Sequence, residues 1–435
     1  MSKKQKKTTK DKENSILTQY LNEDVVNFYK KELALETPSK PQEDTLENQE
    51  ELAETEKYLG IFFKSPAKVE PAILYGLLTV ADIFLHYLIV FPVRIGVSIW
   101  KKNIKSKINP QLMFDILIGL LMFVVVSHII FLRFETVLSQ ISDSQIKLMF
   151  MYNSLELLDS LLIKFTVDCL SVLKRTTFDV FSEDPKKTEK KYSKLGIHFG
   201  MAYFALFIHT LVLYTSVAML GLAVTSSKYN MIPFLISNNF VEFKKAVLKK
   251  IEENKLRKSY YQDSFERLKL LIFVFCVFVQ ARTSSDFQVT DSRVSSVKWL
   301  FLAEFIVDWS KYAFVFKNNK IEASIFTKFR NGLSKFVLRS QEIDDTKIYQ
   351  NHVDSIEKEM KITTIPLVCL YLSFLLEGLF RSVSFVAVFI LGIFIFVFGC
   401  VLTYSVRILL LYLSNKFSQD QEKEDEKENE KEKVD

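Results

Sequence analysis

Apolar residues gather into long runs between residues 71 and 413, separated by short segments rich in Lys and Glu. A membrane-crossing helix needs roughly 20 predominantly apolar residues. Residues 112–132 and 197–225 meet that requirement as clean runs, and 384–413 is long enough as well. Residues 71–100 also qualify, although Asp82, His86 and the Pro92-Val93-Arg94 step interrupt them. The run 146–173 carries Glu156, Asp159, Lys164 and Asp168, and 297–316 carries Glu304, Asp308 and Lys311. Residues 268–280 are short for a span, and 365–380 complete the set. The pattern predicts an all-α, polytopic helical membrane protein with roughly six to eight membrane segments, some re-entrant or interfacial.

The flanks read differently. Residues 1–70 are rich in Lys, Glu, Gln, Thr and Asn and are expected to be disordered, and 414–435 form a charged tail alternating Lys with Glu. The membrane domain is therefore expected at 71–413, with a polar insert at about 282–361. Within it, Ser237-Asn238-Asn239 supplies helix-capping side chains, followed by Phe240, Phe243, Val247, Leu248 and Ile251 at helical spacing. Lys244, Lys245, Lys249 and Lys250 fall between them. Residues 237–258 thus predict a basic amphipathic helix of the kind that lies along a charged lipid surface.

Composition narrows the class. Of 435 residues, 49% are hydrophobic, and 39 are Phe against 11 Gly. Mean hydropathy is +0.13 despite both charged termini, so the apolar residues are concentrated in the middle. The net charge of +6 arises from Lys clusters beside apolar runs, which favours anionic lipid over nucleic acid. Cys169, Cys276, Cys369 and Cys400 lie apart in apolar surroundings and read as small hydrophobes rather than a disulfide or zinc framework. The five His residues are dispersed. His198 and His209 stand about three turns apart, so they share a helix face and cannot share a metal. No phosphate loop, metalloprotease or nucleophile-elbow motif occurs. Glu156 and Asp159 have no nearby histidine or oxyanion donor, so no catalytic residue, cofactor or metal site is expected.

Charges inside apolar helices are costly and mark candidate sites. Asp82 and His86 are four residues apart, as are Glu377 and Arg381, and Lys164 and Asp168. Glu304, Asp308 and Lys311 line one stripe, and Asn153, Glu156 and Asp159 share another. Such pairs compensate themselves, which fits neutralisation within a bundle better than a conduit. The alternative is a transporter, channel or lipid mover using Asp82, His86, Glu377 and Arg381. Arg94, beside a proline, is placed to snorkel toward lipid phosphates. Orientation stays open, because basic segments flank residues 197–225 on both sides.

Four segments together resemble the transmembrane anterior-posterior transformation family. They are Ser237-Asn238-Asn239-Phe240-Val241-Glu242-Phe243-Lys244, Tyr152-Asn153-Ser154-Leu155-Glu156 with Asp159, Glu304-Phe305-Ile306-Val307-Asp308-Trp309-Ser310-Lys311, and Pro92-Val93-Arg94. The resemblance covers roughly residues 75–410 in colinear order, with Phe329-Arg330 in place of an expected Tyr-Arg. It implies a multi-pass protein of the endoplasmic reticulum membrane without enzymatic activity. It implies a role in folding and quality control of secretory proteins, acting with a SUN-like-domain membrane partner and a lumenal chaperone. On that reading Asn153, Glu156, Asp159, Asn238, Asn239, Glu242, Glu304, Asp308 and Lys311 are partner-facing or bundle-defining residues.

Overall fold

A computed structural model describes residues 46–102, 110–132, 145–181, 189–225, 252–283, 291–341, 352–382 and 385–432. The chain divides into two units, Met1–Leu59 and Gly60–Asp435. The described part of the first is helical, residues 46–59. The second holds a helical bundle, and no strand occurs among the described residues. Its elements in chain order begin with α1 (Leu46–Leu85), a π-helical turn (His86–Val90) and α2 (Phe91–Lys102). Then come α3 (Pro110–Leu132), α4 (Gln145–Phe181), α5 (Glu189–Thr225) and α6 (Glu253–Thr283). The order ends with α7 (Asp291–Asn319), α8 (Ile325–Gln341), α9 (His352–Met360), α10 (Ile365–Ser382) and α11 (Phe385–Glu432).

Four helical stretches are long and apolar enough to cross a membrane: Ser65–Trp100, Pro110–Leu132, Tyr192–Val224 and Gly392–Gln421. Helices α9 and α10 add a fifth if they form one broken segment, since they meet at a 111° bend. The expected six to eight segments exceed this number. The difference lies in α4 and α7, whose apolar runs carry charged residues, and in α6, whose apolar run is short. Order also begins earlier than residue 71, because Glu, Leu, Ala and Lys from Leu46 onward are good helix formers. The charged tail continues α11 through Glu432, with Lys and Glu alternating along it.

Helices α4 and α5 form the most extensive pair. The buried stripe on α4 is Asp159, Leu162, Thr166, Cys169, Leu173, Thr177 and Val180, spaced by threes and fours. It faces Ala202, Ala205, Leu206, His209, Leu213 and Val217 on α5. The small residues Ala202 and Ala205 let the helices approach closely. Helix α10 occupies the middle of the bundle against α3, α5 and α6. Tyr214 stacks on its Phe374, and Phe275 stacks on its Tyr371, both with ring centroids 5.0 Å apart.

Helices α1 and α11 run antiparallel. The Tyr75 and Ser414 hydroxyls bond at 2.7 Å, Asp82 faces Arg407 at 3.6 Å, and Gly399 admits Ile89. Helices α7 and α9 end alike. Lys320 and Lys361 take left-handed backbones, φ 53° and 57°, and the next amide donates to the carbonyl five residues back. That closure satisfies orphan carbonyls at a helix C-terminus. At the second, the chain turns sharply into α10, whose Pro366 falls in the first turn, where a missing N–H is harmless. Residues 282–361, expected as a polar insert, are in their described part α7, α8 and α9, each of which contributes side chains to the core.

Candidate functional site

Helix α6 is the hub of the buried charge. Asp263, Glu266, Arg267 and Lys269 lie where its polar N-terminal half meets its apolar run. A spacing of four puts Asp263 and Arg267 on one face, while Lys269 lies on another side with Glu266, three residues before it. Arg267 donates to both carboxylate oxygens of Glu70 on α1, at 2.5 and 3.1 Å. It also donates to Asp308 on α7 at 3.0 and 3.2 Å. One turn along α7, Lys311 lies 3.3 Å from Asp308 and 2.8 Å from Asp263. The Tyr312 hydroxyl closes the chain by donating to Asp263. Charge therefore alternates from Glu70 to Arg267, Asp308, Lys311 and Asp263.

These groups are withdrawn from solvent. The side chains of Asp263 and Lys311 are each 4% exposed. An isolated charge at such burial costs several kcal/mol, so each must hold a counter-ion. Burial works against the Arg267 cation, but hydrogen bonds and charge from Glu70 and Asp308 outweigh it and raise its pKa. Burial likewise pushes the Tyr312 hydroxyl up, reinforced by Asp263, so it stays protonated and donates.

A second chain starts from Lys269 on the other side of α6. Its ammonium lies 3.0 Å from Asp159 on α4. The other Asp159 oxygen meets His209 Nε2 on α5 at 2.9 Å, and His209 Nδ1 meets the Thr166 hydroxyl at 3.0 Å. The Asp159 carboxylate accepts from Nε2–H, so His209 links α4 to α5 at both ring nitrogens. Glu156 and Glu266 add negative charge around Lys269, and Glu304 lies with Glu156 near Tyr152.

A third cluster braces the α9–α10 bend. Tyr87, in the π-helical turn, donates to Asp354 at 3.3 Å and Glu357 at 3.2 Å. Lys174 on α4 pairs with Asp354. Glu357 accepts from the Thr364 amide at 2.9 Å and its hydroxyl at 2.8 Å, which caps the start of α10.

Several predicted residues meet here. Glu156, Asp159, Asp308 and Lys311 converge on α6, Glu304 lies near Tyr152 of α4, and Asn153 sits half-buried on α4. Asp82 and His86 are both buried, and Asp82 faces Arg407 across the α1–α11 contact. Glu377 is half-buried on α10, and Arg381 ends that helix with its side chain outside the described residues. Lys164 and Asp168 point outward. Arg94 does not extend toward lipid phosphates: it turns inward and pairs at 2.5 Å with Asp115 of α3, which Gln111 also contacts at 3.2 Å. A buried carboxylate in need of a counter-ion holds it there. Asn238, Asn239, Glu242, Lys244, Lys245, Lys249 and Lys250 lie outside the described residues.

Sequence reasoning missed Glu70, Lys174, His209, Asp263, Lys269, Asp354 and Glu357. The legible signal was the charge of α6 at the border of an apolar run; the partners come from other helices. Among the described residues, no three His, Cys, Asp or Glu side chains converge as metal ligands would.

Apolar helices long enough to cross a bilayer, cross-braced by buried ion pairs, define a multi-pass α-helical membrane protein. Residues 108–423 match the DUF747 eukaryotic membrane protein family, and the chain belongs to that family. It is 25% identical over 340 residues to the human transmembrane anterior posterior transformation protein 1 homolog, covering 74% of this chain and 58% of the human one. The Dictyostelium discoideum TAPT1 homolog is 30% identical over 310 residues, covering 66% of this chain and 36% of that protein. Endoplasmic reticulum membrane protein 65 of Schizosaccharomyces pombe is 26% identical over 364 residues, covering 75% of this chain and 54% of that protein. The chain spans about half the length of the curated relatives it matches. No solved structure matches it.

Proposed function

We propose that this chain is a non-enzymatic scaffold of the endoplasmic reticulum membrane. It supports folding and quality control of secretory proteins, acting with a SUN-like-domain membrane partner and a lumenal chaperone. The compartment follows from the name of the fission-yeast relative. The partner and the folding role rest on the family resemblance. The observation that favours a scaffold is the alternating chain Glu70–Arg267–Asp308–Lys311–Asp263, in which buried charge is used to lock helices together. Purification from detergent-solubilised membranes should recover a SUN-like partner, and Asp308→Ala should reduce that recovery. A monomer with no partner in either sample removes the reading.

One observation favours a second reading, a transporter or lipid mover. Asp82 and His86 are buried at the π-helical turn inside the first apolar stretch, and π-turns in helices are frequent at functional sites. Purified protein in liposomes should then move ions or lipids, with flux lost in His86→Ala. Silent liposomes end that reading.

A further inference from the structure

Helix α8 has two opposed faces. Phe326, Phe329, Leu333, Ser334 and Val337 are buried. Phe326 is packed among Tyr260, Tyr312 and Phe316, with ring centroids 5.8, 4.7 and 5.7 Å away. On the other side Lys328, Gly332, Lys335 and Arg339 recur at steps of four, three and four, so they form one stripe. Lys328, Gly332 and Arg339 are exposed and Lys335 partly so. Aromatic packing fixes the helix, leaving the basic stripe facing outward.

Helix α11 shows at what depth this stripe lies. Its outward apolar side chains continue to Tyr412, and Asn415 and Lys416 beyond it are exposed. That switch from apolar to polar side chains marks where α11 leaves the hydrocarbon core. Helix α8 packs against α11, and the Arg330 guanidinium lies 3.8 Å from the Phe417 ring centre. Phe417 stands about 8 Å past Tyr412, at headgroup level. Lys317 and Lys320, just before α8, are exposed as well. Of the acids near this end, Glu322 accepts from Ser324 at 3.4 Å, and Asp420, Glu422 and Glu424 follow Phe417 along α11.

We propose that the Lys328–Lys335–Arg339 stripe is a binding surface for the headgroups of anionic phospholipids. The small Gly332 between Lys328 and Lys335 leaves room for a phosphate between their side chains. Long basic side chains can lay their stems along apolar surface and keep their charges in the headgroup layer.

The test uses the full chain reconstituted in phosphatidylcholine bilayers carrying spin-labelled phosphatidylserine, phosphatidylinositol or phosphatidylcholine. The wild type should select the anionic lipids several-fold, and this preference should weaken as salt screens it. The Lys328→Gln/Lys335→Gln/Arg339→Gln variant should fall back toward no preference while keeping its helical circular dichroism. If that variant does not fold, salt-sensitive selectivity of the wild type combined with loss in single Lys328→Gln and Arg339→Gln proteins supports the site. Equal association of all three lipids with the wild type overturns it. So does selectivity that survives the triple substitution, or that disappears only when Lys255, Arg257 and Lys258 are neutralised instead. Binding of soluble inositol phosphate in detergent without lipid selectivity in bilayers also overturns it.

Discussion

Gly76 marks the closest approach of α1 to α6. A Cβ built there lies 2.2 Å from Ser264 Oγ and 2.8 Å from Ser264 Cβ, so a side chain has no room without separating the helices. The close approach lets α6 hydroxyls reach the α1 backbone: Tyr260 donates to the Ala72 carbonyl at 2.8 Å and Ser264 to that of Ile73 at 3.4 Å. Gly76→Ala should therefore destabilise the protein by about 1–3 kcal/mol. A lower melting temperature in detergent checks this, and an unchanged one shows that the contact is looser than described. Little of this was legible in the sequence. Gly76 stands in an apolar run where it could as well have faced lipid, because helical spacing does not reveal what lies opposite. Lys361 is similar: it sits in a polar stretch, yet adopts a left-handed backbone because the helix must end there and turn by 111° into α10.

At the scale of elements, α6 is joined to α1, α4 and α7 by charge. Arg267 alone answers two carboxylates, Glu70 and Asp308. Arg267→Met removes the cation and leaves both acids buried, so it should cost about 3–5 kcal/mol, more than loss of one hydrogen bond. Chemical or thermal denaturation in detergent measures it. A cost below about 1 kcal/mol would mean water or another cation replaces the guanidinium. The sequence singles out Asp159, Asp308 and Lys311 because charge in an apolar helix stands out. It overweighted partners on the same helix. Asp308 and Lys311 do pair at i,i+3, but each also reaches α6. Lys164 and Asp168 have equally good spacing and simply face outward. Spacing gives the face shared by two residues, and only packing decides which face is inside. The same limit applies to α4 and α7, whose apolar runs are legible while the charges between them answer neighbouring helices.

At the scale of the molecule, the all-α membrane class was legible from hydropathy alone, and the family from motifs that now prove to have different settings. Glu304–Lys311 lies in the ionic chain, and Pro92-Val93-Arg94 follows the π-helical turn and pairs with α3. The pairing of α1 with α11 could not be read, since nothing local in either helix names the other. That pairing also bears on how the protein is made. Tyr75 and its partner Ser414 are 339 residues apart, an interval that a ribosome takes roughly 20 seconds to a minute to traverse. Throughout it α1 must sit in or beside the bilayer with Asp82 not yet matched to Arg407 and its α11-facing groove open. The newborn chain is thus exposed to wrong helix partners and to membrane quality control until α11 arrives and seals it.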